Sequence, residues 1–208
     1  MPPKERPSSP IRSRAGRALL LVVFWSWVPS LVIPGVYFLA WHTLTLPAPD
    51  RGSVTAAVEL HRRLEDRGRW SVLHVLYSGC GCSARVLERL AGRRPIEGVP
   101  ETILFVDGAP GELAEQAHAA GFRLESLTRD DLVQRYHLEA APLLVIADGD
   151  GAIRYLGGYT ERKQSPEIQD VAILERLRRG EEVSALPLFG CAVSRDLQSK
   201  LDPLKLKY

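Results

Sequence analysis

From Ala18 to Trp41 the chain carries no charged residue, a run of 24 positions. About 20 apolar residues suffice for a helix to cross a bilayer core. In hydrocarbon a backbone has to satisfy its own hydrogen bonds, so a single segment of this kind has only the helix open to it. Trp25, Trp27, Tyr37 and Trp41 lie in the run or at its end, and Trp41 suits the membrane interface. Pro29 and Pro34 interrupt the run and are expected to kink the helix. Lys4, Arg6, Arg12, Arg14 and Arg17 precede it against one acid, Glu5. The positive-inside rule then keeps the N-terminus cytoplasmic and sends the rest of the chain across the membrane. A cleaved signal peptide is the rival reading, but the run exceeds an ordinary signal core and no clean small-x-small site follows it.

The remaining composition narrows the class. The chain has 208 residues, 45% hydrophobic and 25% charged, with a net charge of +2. These are values of a folded protein with no overall bias toward nucleic acid. The basic residues are mostly Arg, a skew that fits a GC-rich bacterial genome. The expected location is therefore a bacterial inner membrane, single-pass, with the C-terminal part periplasmic. That compartment is oxidising, so exposed thiols there cycle with partners or hold a metal.

The three cysteines are Cys80, Cys82 and Cys191. They are too few for a disulfide scaffold or a four-thiolate iron–sulfur cluster. Cys80-Gly81-Cys82 follows an apolar run, 70–77, and precedes a helix-like run, 83–90. A helix N-terminus offers unpaired N–H groups and a partial positive charge, which favour a thiolate. The pair is expected to be open to solvent at this strand-to-helix turn.

The rest of the chain reads as alternating helices and strands. Residues 1–17 form the basic tail, 18–41 the transmembrane helix and 42–52 a Pro/Gly linker. A domain follows over 53–180, and 181–208 form an extension carrying Cys191. Ser53 is the expected cap of a helix running to about 67. Strands are expected at 71–77, 101–106, 122–127, 142–147 and 152–159. Helices are expected at 83–92, 111–120, 129–136 with Thr128 as cap, 166–179, and 195–201. In the 166–179 helix, Ile168, Val171, Leu174 and Leu177 are expected inside. Asp148-Gly149-Asp150-Gly151 reads as a hairpin turn, since no Glu follows to complete a calcium loop. Apolar strands interleaved with helices predict a three-layer α/β/α sandwich with a mixed central sheet.

Two segments carry a family resemblance. One is the strand–cysteine–helix unit from Val72 to Leu90; the other runs from Tyr136 through Ala141-Pro142 to Gly151, followed by Gly157-Gly158. Over roughly 53–180 the chain resembles the thioredoxin-like superfamily, and within it the membrane-anchored TlpA-like thiol–disulfide oxidoreductases. The resemblance implies a thioredoxin-like fold and makes Pro142 the expected cis proline beside the active cysteines. It implies that the backbone of Ala141 pairs with an extended substrate chain bearing a disulfide. It also gives His74 the place of a buried ionisable group that takes a proton during exchange. The chain departs from the family in having one residue between its thiols instead of two, Gly79 where an aromatic residue is common, and Ala141 where Thr or Val is common.

A disulfide needs Cα atoms about 4.4–6.8 Å apart. Residues i and i+2 meet this only in a tight turn, and Gly81 is the residue expected to permit one through positive φ. Cys80 is then the attacking thiol and Cys82 the resolving one, exchanging dithiol for disulfide with a protein partner and needing no organic cofactor. Cys191 reads either as a packed small residue or as a third thiol brought back to the pair. Three thiolates would suit Cu(I), so a copper chaperone or assembly factor using Cys80, Cys82 and Cys191 is the alternative function. For His74, a packed strand histidine is the plainer reading.

Overall fold

The structure is a computed structural model that describes residues 10–108, 111–163, 165–203 and 205. Lys4, Glu5 and Arg6 lie outside the described residues. The chain divides into two compact units, Met1–Leu44 and Thr45–Tyr208.

The first unit contains one helix, α1 (Pro10–Thr43), which continues through Pro29 and Pro34. Within it Gly16–Leu39 is long and apolar enough to cross a membrane, and no part of that stretch is buried by protein. Most of its large side chains, among them Leu19, Trp25, Phe38 and Leu39, are exposed, while Val28 and Tyr37 are half-buried.

The second unit starts with α2 (Arg51–His61), whose cap is Asp50, not Ser53: the Asp50 carboxylate accepts from the N–H groups of Gly52 and Ser53. An acid one turn earlier takes the capping role because it reaches two of the orphan donors at once. The helix ends at His61, short of 67, and a single 3-10 turn at Leu64–Asp66 follows. Next come β1 (Ser71–Tyr77), α3 (Gly81–Ala91), β2 (Glu101–Val106), α4 (Gly111–Ala120), β3 (Arg123–Leu127) and α5 (Arg129–Tyr136). Thr128 caps α5 as expected, accepting from the Asp131 N–H. The chain continues through β4 (Ala140–Ala141), β5 (Leu143–Ala147), β6 (Ile153–Gly157), α6 (Asp170–Arg178), β7 (Cys191–Ala192) and α7 (Arg195–Leu201). Helix α6 starts four residues later than the pattern suggested, with Ile173 and Leu174 buried and Val171 only half-buried.

The main sheet has the order β3-β2-β1-β5-β6. Strands β1, β2 and β3 are parallel, while β5 runs antiparallel to both β1 and β6. Side chains alternate across this sheet. Leu73, Val75, Leu104, Val106, Leu143 and Val145 face one way and pack with Val54, Leu132 and Leu197 of α2, α5 and α7. Val72, Leu76, Ile103, Phe105, Leu144 and Ile146 face the other way, against Leu87, Ala117 and Ile173 of α3, α4 and α6. Each fully buried aliphatic side chain in these layers contributes about 2 kcal/mol through removal from water. A mixed sheet covered by helices on both faces, with the cysteine turn at the C-terminal end of its central strand, is the thioredoxin-like three-layer sandwich.

A second, two-stranded sheet joins β4 to β7 antiparallel, with Ala140 opposite Ala192 and Ala141 opposite Cys191. It ties the C-terminal extension to the domain and sets up the site.

Candidate active site

Strand β1 delivers the chain to Tyr77, and the turn that follows is closed by the Cys80 N–H donating to Tyr77 O at 3.0 Å. Cys80 is the N-cap of α3, with extended backbone, and its carbonyl accepts from Ala84 N at 3.0 Å. The Ser83 hydroxyl accepts from Tyr77 N at 3.0 Å, which clamps the first turn of the helix to the end of the strand. A side chain at position 79 would lie 2.9 Å from atoms of the Tyr77 ring. The aromatic expected before the first cysteine is thus absent because a neighbouring ring already lies against that position.

Gly81 sits inside α3, without the positive φ expected of it, and a Cβ there would meet nothing. The tight Cys-Gly-Cys turn is therefore not formed. The helix begins at residue 81, which places Cys82 one residue into its first turn. The expectation that both sulfurs are open to solvent is also overturned. Cys82 is half-buried, but Cys80 is only 2% exposed, because the C-terminal extension lies over it.

All three cysteines are thiols with no disulfide between them. Cys191 lies opposite Ala141 in the β4–β7 pair, whose Ala141 carbonyl is next to the Cys80 sulfur, and Cys82 follows in the first turn of α3. Donors around the Cys80 sulfur, Cys191 first and Cys82 next, hold Cys80 far below the ordinary thiol range despite its burial. Cys82 is pushed the other way, first by its bond to the Cys80 sulfur and then by burial. Cys80 Sγ also lies 3.8 Å from Ala141 O. That carbonyl accepts from the protonated sulfur.

The Ala141–Pro142 peptide is cis. Pro142 and Cys82 line one open groove of about 370 Å³, together with Arg85, Tyr159 and Phe189. The structure thus brings Cys80, Cys82, Cys191, Ala141 and Pro142 to one place.

His74 faces the α3 side of the sheet, fully buried. Its Nε2 lies 3.1 Å from Glu101 Oε2 and its Nδ1 3.0 Å from the Tyr159 hydroxyl. Arg93 donates to both Glu101 and Asp170. Burial would raise the Glu101 carboxyl, but hydrogen bonds from His74 and Arg93 hold it at about 2. Burial pushes the Tyr159 hydroxyl well above its usual range. His74, Glu101 and Asp170 bring ligand atoms within 4.8 Å of one another. With the Arg93 guanidinium bonded to both carboxylates, this cluster is a compensated ion-pair network rather than a cation cradle.

Sequence reading missed Glu101, which the alternation of Glu101, Ile103 and Phe105 on one face of β2 could have flagged as a buried acid. It missed Gly190 as well. A Cβ there would lie 2.0 Å from Ala141 O and 2.7 Å from Pro142 Cδ, so only glycine lets the extension approach the proline so closely.

No family model matches the chain, and no curated protein does. Solved structures of similar shape include an uncharacterized conserved protein from Geobacillus kaustophilus, 19% identical over 64% of this chain and 82% of that one, with a TM-score of 0.47. A hypothetical protein from Sinorhizobium meliloti is 15% identical, covering 73% and 91% of the two chains at TM-score 0.47. A secreted Mycobacterium tuberculosis disulfide oxidoreductase is 16% identical, covering 55% and 84% at 0.38. At these values the likeness bears on shape alone, and the chemistry of this chain rests on its own residues.

Proposed function

We propose that this chain is a membrane-anchored, extracytoplasmic thiol–disulfide oxidoreductase that exchanges dithiol for disulfide with a protein partner. The observation that carries the reading is the placement of Cys80, at the N-cap of α3 with its sulfur 3.8 Å from Ala141 O of the cis Ala141–Pro142 peptide and Cys191 opposite Ala141 on β7; the donors around that sulfur favour its thiolate form. The thiolate is the attacking species in disulfide exchange, and a depressed pKa keeps it available at neutral pH. Burial by itself would have pushed the thiol the opposite way. Ala141 and Pro142 beside the sulfur support a protein disulfide as substrate, because a backbone strand there can pair with an extended partner.

The apolar helix over Gly16–Leu39 supports anchoring in a bilayer. Arg17 at its N-terminal end supports a cytoplasmic N-terminus and a periplasmic domain, in a bacterial inner membrane. The TlpA-like subtype rests on this anchor together with the cysteine turn.

The test is reduction of a small aromatic disulfide by the purified, reduced full chain. The reading predicts turnover that Cys80→Ser abolishes. The convergence of three sulfurs favours one other reading, a copper-handling protein in which Cys80, Cys82 and Cys191 hold Cu(I). That reading predicts retained stoichiometric copper, lost on Cys80→Ser, and no disulfide turnover in the metal-free chain.

A further inference from the structure

We infer that the C-terminal strand β7 occupies the place of a substrate strand, and that Cys191, carried on it opposite Ala141, is the thiol that forms the internal disulfide with Cys80. The inference rests on the oxidoreductase reading and assigns the resolving partner within it.

The segment around β7 is built to stay in this position. Its backbone pairs with Ala140 and Ala141, the edge that would otherwise receive a partner chain. On one side Val193 N donates to Glu139 O at 2.6 Å, and the Ser194 hydroxyl donates to Glu139 Oε1 at 3.0 Å. On the other side Leu188 O accepts from Leu46 N at 2.8 Å, and Leu186 O accepts from Gly158 N at 2.9 Å. Gly190 provides the closest approach, since any larger residue would strike Ala141 O. The result is an extended strand bearing a cysteine, seated against the cis proline, with Cys191 opposite Ala141, whose carbonyl lies 3.8 Å from the Cys80 sulfur.

Cys82 is less well placed to close a disulfide. It shares the first turn of α3 with Gly81, so bridging residues 80 and 82 requires that turn to unwind. Cys191 lies across a strand pair and reaches Cys80 with α3 intact.

The chemistry balances as follows. A partner disulfide displaces β7, and the Cys80 thiolate attacks one of its sulfurs. A bond forms from Cys80 to that sulfur, and the partner's other sulfur leaves as a thiolate. Cys191, already displaced from Cys80 with β7, passes its proton to the departing thiolate. With β7 re-paired, the Cys191 thiolate attacks Cys80 Sγ, and the partner's second sulfur leaves. The partner disulfide gains two electrons, and Cys80 and Cys191 lose them. The open groove beside Cys82 and Pro142 gives the partner a surface to approach.

The experiment uses the reduced full chain in detergent, mixed with oxidised glutathione, quenched with an alkylating reagent and digested without reduction. Linked peptides are identified by mass spectrometry. The expected result is a Cys80–Cys191 link in both the wild type and Cys82→Ser. Cys191→Ser should accumulate glutathione on Cys80 and clear it roughly tenfold more slowly or worse, equivalent to a barrier raised by at least about 1.4 kcal/mol. A Cys80–Cys82 link in the wild type, with Cys191→Ser clearing at the wild-type rate, overturns the inference and leaves the oxidoreductase reading standing. A chain that forms neither adduct nor link overturns both. A second variant tests the cover directly. Gly190→Ala should push β7 off Ala141 and raise alkylation of Cys80 in the reduced chain roughly tenfold, as expected when a local protecting contact is lost, while Cys82 reacts as before. Unchanged Cys80 alkylation would show that β7 does not shield it.

Discussion

Cys80 and Glu101 are both buried acids whose neighbours favour the ionised form, by different means. Cys80 is served by weak sulfur donors and backbone amides, Glu101 by an imidazole and a guanidinium. For Glu101 the consequence for stability has a definite sign. Its folded pKa, about 2, lies below the ordinary 4.5. Its contribution is therefore complete above pH 4.5 and is lost as pH falls toward 2. A shift of that size corresponds to stabilisation on the order of 3 kcal/mol. Urea midpoints of the wild type should fall between about pH 6 and about pH 3. Glu101→Gln should be less stable at neutral pH, because Arg93 loses a partner, and should show a flatter fall over the same range. An equally steep fall in the variant would place the acid sensitivity elsewhere. The position of Cys80 at a strand-to-helix junction was legible in the sequence because an apolar run followed by a cysteine and a helix-like run is a local signature. The Glu101–Arg93–Asp170 network was not, because its members lie far apart along the chain and meet only after β2 and α6 pack.

At the scale of elements, two glycines make opposite predictions. Gly81 is helical and its Cβ position is open. Gly81→Ala should leave the reduced fold as stable or stabilise it by up to about 1 kcal/mol, the helix-propensity difference. It should also preserve disulfide exchange if Cys191 is the internal partner. Loss of exchange in a stable Gly81→Ala would point back to a disulfide between neighbouring cysteines. Gly158 lies where a Cβ would be 1.9 Å from Pro187 O. Gly158→Ala should lower stability by about 1–3 kcal/mol, the usual cost of overpacking, read from the urea midpoint. The long strands and helices were legible because β1 and β2 are continuous apolar runs buried on both faces, and α3 buries Ser83, Val86, Leu87 and Leu90 at helical spacing. Strands β4 and β7 were not. Each has two residues, too few to show any period, and their pairing joins positions far apart in sequence. The start of α6 was misread because the apolar spacing extends back to Ile168, ahead of the first helical residue.

The whole molecule separates into an apolar helix and a compact domain. With no residue of the apolar stretch Gly16–Leu39 buried by protein, the full chain should sediment with membranes and resist alkaline carbonate. Removing residues 1–44 should release a soluble domain with the same thermal transition. A full chain extracted by carbonate alone would contradict anchoring. The helix was legible because charge-free length is a property of one continuous segment, whereas the site draws its parts from β1, α3, β4 and β7. The Cys80 thiolate is reported directly by thiolate absorbance in the ultraviolet. The reduced chain should show thiolate absorbance well below about pH 8.5, the ordinary cysteine value, and Cys80→Ser should remove it. Absorbance in the wild type that rises only above that pH would contradict a thiolate held by its neighbours.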